Sequence, residues 1–90
     1  MISENFTIGT TASKILDASN SNRHVYVQII GNITVYMGGS TVTAANGLAT
    51  EKHTNPIDLF IPDGEELWAV VANDTADLRI MYAPTQSGAV

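Results

Sequence analysis

The sequence contains no cysteine, which excludes a disulfide, a thiolate metal site and a thiol nucleophile. Histidine is scarce too, with only His24 and His53. Charged residues make up 14% of the chain, well under the ~25% of a typical soluble domain. The four basic residues, Lys14, Arg23, Lys52 and Arg79, are scattered among nine acidic ones, for a net charge of −5. No basic stripe exists that could follow a phosphate backbone, so nucleic acid is not an expected partner. Long apolar runs are also missing. The stretch from Leu67 to Ala72 is far short of the ~20 residues that a membrane-spanning helix needs. Met1 to Asn5 carries an acid and no basic segment, so neither a membrane nor a secretion route is expected.

These absences bear on stability. A chain of 90 residues buries roughly 60–65% of the surface its unfolded form exposes, and cores of that size often depend on staples or partners. With disulfides excluded, self-association is the expected staple, and a trimer the expected unit. A weakly charged surface also leaves neutral area free to meet other proteins.

What the sequence does have is alternation. In the run from His24 to Ile30, Val25, Val27 and Ile29 share one phase, and His24, Tyr26 and Gln28 the other. After Gly31-Asn32 the pattern resumes with Ile33, Val35 and Met37. Both runs are rich in β-branched and aromatic residues that suit a half-buried strand, and the Gly31-Asn32 spacer predicts a tight hairpin. Pro56 to Ile61, Glu66 to Ala72 and Ala76 to Ala83 alternate likewise. Pro62-Asp63-Gly64 and Asn73-Asp74-Thr75 supply turns between them, with Gly64 suited to a left-handed conformation. Two weaker strands are expected at Phe6–Ile8 and Lys14–Leu16; a helical turn capped by Ser13 is the alternative for the second. The fold expected is therefore all-β: one antiparallel β-sandwich or small jelly-roll-like barrel of about seven to eight short strands. One domain spans residues 1–90, with an ordered core over about 6–84 and a flexible tail over 85–90. Val25, Val27, Ile29, Val35, Leu59, Leu67, Val71, Leu78 and Ile80 are its predicted core. The stretch from Gly38 to Asn55 is the least regular, and its Glu51-Lys52-His53 cluster marks it as a candidate contact loop.

No catalytic constellation outweighs a structural reading. Neither histidine is tied by an ordered motif to a serine and an acid. Asp63 and Glu65-Glu66 lack the acid spacing of a calcium loop, and turn chemistry accounts for Asp63-Gly64. Gly38-Gly39-Ser40 is too short for a phosphate loop and opens no helix. No enzyme activity, cofactor or metal is expected. Tyr26, Tyr36 and Trp68 stand out of phase with their strands' apolar sets. Either they complete a two-sided core, or they are contact residues on an outer face, where Tyr and Trp dominate interfaces. A sugar-binding platform is a further reading of the same aromatics.

Several runs carry a family resemblance: Ile8 to Leu16, Asn20 to Arg23, Val25 to Ile29, Val35 to Thr43, Asn46-Gly47, Pro62 to Glu65, Leu67 to Val70 and Asp74 to Ile80. Together they resemble small structural proteins of tailed bacteriophages. That group comprises β-sandwich capsid cement or decoration proteins and small neck or tail appendage domains. The resemblance implies a multimer, often a trimer, bound to the major capsid protein on the virion surface and acting without a cofactor. The alternative it leaves open is an appendage with receptor- or sugar-binding ability. The Glu51-Lys52-His53 stretch is longer and more polar than the group's pattern.

Overall fold

The computed structural model describes residues 2–51 and 57–83. It is all-β, with no helix among the described residues. In chain order the strands are β1 (Ile2–Ile8), β2 (Ser13–Leu16), β3 (Arg23–Ile30), β4 (Val35–Gly38), β5 (Leu48–Thr50), β6 (Ile57–Ile61), β7 (Leu67–Val70) and β8 (Ala76–Tyr82). They form two antiparallel sheets of four, in the orders β1-β8-β3-β6 and β2-β7-β4-β5. The first is called sheet A here and the second sheet B.

Period two explains why these segments pair as they do. Residues directly opposite across an antiparallel ladder share a face. The pairs Val27↔Ile80, Ile29↔Leu78 and Val27↔Ile57 therefore put one phase of β3, β8 and β6 on the same side of sheet A. That side is buried: Val25, Val27 and Leu78 have no exposed surface, and Ile29 and Ile80 almost none. Sheet B contributes Ile15, Leu16, Val35, Met37, Leu67 and Ala69 to the same core, with Val71 just past β7. Fully burying each such aliphatic side chain stabilises the fold by about 1.5–3 kcal/mol. Of the nine predicted core residues, Leu59 alone is only half-buried. It lies on β6, an edge strand, so one flank has no neighbour among the described strands.

The expected Gly31-Asn32 hairpin is not formed. β3 is flanked by β8 and β6, and β4 by β7 and β5, so the two runs lie in different sheets. Gly31 does take a left-handed conformation, at φ 104°, but there the chain changes layers. Both apolar phases then face the shared interior. β4–β5 is the one pair of sequence neighbours that shares a sheet. One further difference concerns a strand limit. β1 starts at Ile2 rather than Phe6, and its register with β8 runs unbroken from Ile2↔Tyr82 to Ile8↔Ala76. The strand expected at Lys14–Leu16 is present as Ser13–Leu16, and the helical-turn alternative is not formed. The expected turns at Gly64 (φ 82°) and Asp74 (φ 61°) are present with left-handed backbone.

The described part of the loop from Gly38 onward is held by hydrogen-bonded turns and ends in a short strand. Val42 N–H donates to Gly39 O (3.0 Å), Gly47 N–H to Thr43 O (2.8 Å), and Thr43 N–H to Asn46 Oδ1 (2.8 Å). These bonds fold residues 39–47 back on β4. Gly47 is needed there for space, since a Cβ would lie 2.7 Å from Tyr36 Cβ and from Val42 Cγ2. The chain then pairs with β4 as β5, a strand too short to read from the sequence. The expected tail, 85–90, lies outside the described residues.

Candidate functional site: the outer face of sheet A

The strand phase that points away from the core differs between the two sheets. On sheet B, Val42 and Val70 are buried outside the main core cluster, and the 39–47 loop closes over Gly38 and Tyr36. On sheet A no loop or strand of the described residues covers the outer side. It presents Tyr26↔Met81, Gln28↔Arg79 and Ile30↔Asp77 from β3 and β8. Ser3, Asn5 and Thr7 flank them on β1, with Asp58 and Phe60 on β6.

This face collects the exposed apolar surface. Among the described residues five large hydrophobics are exposed, and four lie here: Phe60 (54%), Met81 (41%), Tyr26 (40%) and Ile30 (38%). The fifth, Leu48, is on the edge strand β5. The charges on the face are few and mixed, Asp58 and Asp77 against Arg79. An open groove of about 540 Å³ lies on this face, lined by Ser3, Asn5, Tyr26, Gln28, Arg79 and Met81 among others. At one end, His24 Nδ1 lies 3.0 Å from Asp58 Oδ1, and its ring meets Phe60 edge-on with centroids 5.4 Å apart. That contact holds the Phe60 ring against the sheet. Arg79 is exposed, and among the described residues it has no ion-pair partner.

The three aromatic candidates are not brought together. Tyr26 is on the open face of sheet A. Tyr36 and Trp68 are half-buried on the outer side of sheet B, Tyr36 under the Gly47 turn. Trp68 Nε1–H donates to Glu66 Oε1 (3.0 Å), and Glu66 Oε2 is 3.6 Å from Lys14 Nζ. Tyr26 is thus exposed, Tyr36 and Trp68 are half-buried, and none of the three belongs to the main core cluster. Glu51 is exposed at the end of β5 and lines a shallow hollow with Asn32, Ile33 and Thr34. Lys52 and His53 lie outside the described residues. Among the described residues no three His, Asp or Glu side chains converge as a metal site.

Sequence reasoning passed over Phe60, Met81 and Ile30, although their phase marked them. In β6 the inward set is Ile57, Leu59 and Ile61, which leaves Phe60 outward beside Asp58. The buried Arg23 was also passed over. It shares the phase of Val25, Val27 and Ile29, is 3% exposed, and donates to Asp17 O (2.7 Å) and Glu65 O (3.0 Å).

No family model, no curated protein and no solved structure matches the chain.

Proposed function

We propose that this chain is a capsid cement, or decoration, protein of a tailed bacteriophage: a non-enzymatic virion component that docks on the major capsid protein and self-associates. The observation that carries the reading is the open outer face of sheet A. Its four exposed large hydrophobics lie on one side of a small domain with few charges. Patches of this kind on soluble proteins mark contact surfaces, with aromatic and Met anchors inside a polar rim. The sequence resemblance to small phage structural proteins supplies the class of partner.

The mechanism follows from linkage. A protein that binds only the closed shell, across seams between its subunits, stabilises that state in proportion to its occupancy. Each protomer's contribution is small, and repetition over one particle reinforces it through effective concentration. Purified protein added to cement-free phage heads should co-sediment with them and raise the temperature at which they release DNA. The double variant Phe60→Ser/Met81→Ser should lose both effects while keeping the wild-type circular dichroism spectrum. Heads that bind no protein and open at the same temperature would overturn the reading. Protein found by immunogold at the neck or tail, and not on the head, would replace it with the appendage reading.

A further inference from the structure

The four sheet edges differ in how they are protected. Natural sheets discourage unwanted strand addition with short edge strands, charged side chains (lysine above all, and charges that point inward), prolines and bulges. On sheet B, β5 has three residues, and β2 has four, with Lys14 and a register break between Lys14 and Leu16. On sheet A, β6 has five residues and is flanked in the sequence by Pro56 and Pro62. β1 has only one such device, the acid Glu4 on its inward phase opposite Ile80. It is a seven-residue edge strand without Lys, Pro or bulge, and its flank away from β8 pairs with no described strand. Its one charge, Glu4, lies with Oε1 3.5 Å from the Tyr82 hydroxyl of the same molecule.

We propose that β1 pairs antiparallel with β1 of a second copy of this chain, across a two-fold axis at Asn5, to join two four-stranded sheets into one of eight strands. The register follows from self-complementarity. Opposed residues must share a face, so the axis has to pass through a residue and not between two. An axis at Asn5 pairs the whole strand. Ile2 then meets Ile8, Ser3 meets Thr7, Glu4 meets Phe6, and the two Asn5 amides meet each other. An axis at Glu4 would set two carboxylates opposite each other, which is destabilising, and would pair only Ile2 to Phe6. An axis at Phe6 would pair only Glu4 to Ile8. The chosen register matches apolar with apolar at Ile2 and polar with polar on the outer face, and sets no like charges opposite.

The two-fold axis stands perpendicular to the sheet, so both outer faces of sheet A point the same way and form one surface. This inference does not rest on what that surface docks on. A paired strand of seven residues is about 23 Å long. It offers less than the ~800 Å² per partner of a standard interface, so the pair forms at high protein concentration.

The native absence of cysteine gives a clean test. In Asn5→Cys the two thiols fall on residues about 4.5–5.5 Å apart at Cα, within the span of a disulfide. In Thr7→Cys they are about 14 Å apart, because Thr7 faces Ser3 of the other copy. Under mild oxidation Asn5→Cys should form a disulfide-linked dimer at least about tenfold faster than Thr7→Cys. Wild-type protein in sedimentation equilibrium should approach twice its 9.6 kDa mass as concentration rises. Asn5→Lys and Asn5→Asp should each weaken that association, and an equimolar mixture of the two should restore it. Equal cross-linking of both cysteine variants would overturn the pairing. So would a wild-type monomer up to about 1 mM, a concentration at which even an association with a Kd of about 1 mM would be evident, or a mass three times that of the chain.

Discussion

Replacing Arg23 with Met should destabilise the domain by about 2 kcal/mol, although it removes a buried charge. The guanidinium is 3% exposed and has no carboxylate partner among the described residues. Burying a cation in this way costs several kcal/mol, and exchanging buried ionic groups for apolar ones is often neutral or stabilising. Two geometric facts decide the sign here. Arg23 bridges two loops, donating to Asp17 O at 2.7 Å and to Glu65 O at 3.0 Å, and its planar fork reaches both together. Hydrogen bonds to a charged group are worth about 1.5–3 kcal/mol each net of solvation, so removing both costs about 3–6 kcal/mol. Against this, Nε is buried with no partner, and removing it recovers about 1–3 kcal/mol. Both carbonyls belong to exposed residues that water can reach, which holds the loss to the low end and leaves about 2 kcal/mol. For a domain of this size that is a fall of about 8–16 °C in Tm. Arg23→Lys should fall between the two, since one ammonium cannot span both carbonyls. Urea or thermal unfolding followed by circular dichroism measures all three. A methionine variant as stable as wild type would show that the cost of burying the cation outweighs the bridge.

Alkaline pH should destabilise the fold through two groups. Tyr82 is held above the usual tyrosine pKa of 10.0 by burial of its ring and then by the Glu4 carboxylate. Lys14 is held above 10.5 by its hydrogen bond and charge interaction with Asp17, then by Glu66. Both pKa values are raised on folding, so the stability linked to each group is fully present below its unfolded value and is lost as pH rises through the folded one. Melting temperature should therefore fall above about pH 10. Tyr82→Phe should flatten that fall, and an unchanged slope would refute the assignment. Gly47→Ala should cost about 1–3 kcal/mol, because the new Cβ meets Tyr36 Cβ, Val42 Cγ2 and a backbone oxygen at 2.7–3.0 Å. Gly9→Ala, with nothing within 4 Å, should stay within about 0.5 kcal/mol, and equal melting temperatures for the two would count against the packing of the 39–47 loop.

Period-two patterning was enough to give the fold class and most of the core, because each strand has one wall in the interior. The failure at Gly31-Asn32 shows what such a pattern leaves open. A run of alternating residues states which side chains face inward, not which neighbour completes the hydrogen-bond ladder. Two strands joined by a short spacer satisfy the same inward phase whether they pair or pack across the core. Here they pack across it, because β8 and β6 occupy both flanks of β3. β1 was read too short for a related reason. Ser3, Glu4 and Asn5 carry no strand signal of their own and are extended by pairing with Met81, Ile80 and Arg79.

The candidate site was legible only in part, since aromatic content and outward phase had to be read together. Tyr26, Tyr36 and Trp68 were grouped because they are aromatic, yet they divide between two sheets whose outer sides differ. The fate of each outer face depends on a loop with no strand signal. Residues 39–47 fold over sheet B through Val42 and Gly47, so Tyr36 is partly enclosed. Sheet A receives no such loop among the described residues. Tyr26 therefore stays open and is joined by Phe60 and Met81 from strands distant in sequence. The neutral, apolar character of that face is a property of register. It is assembled from alternate residues of β3, β6 and β8, each separated in the chain by residues that face the core.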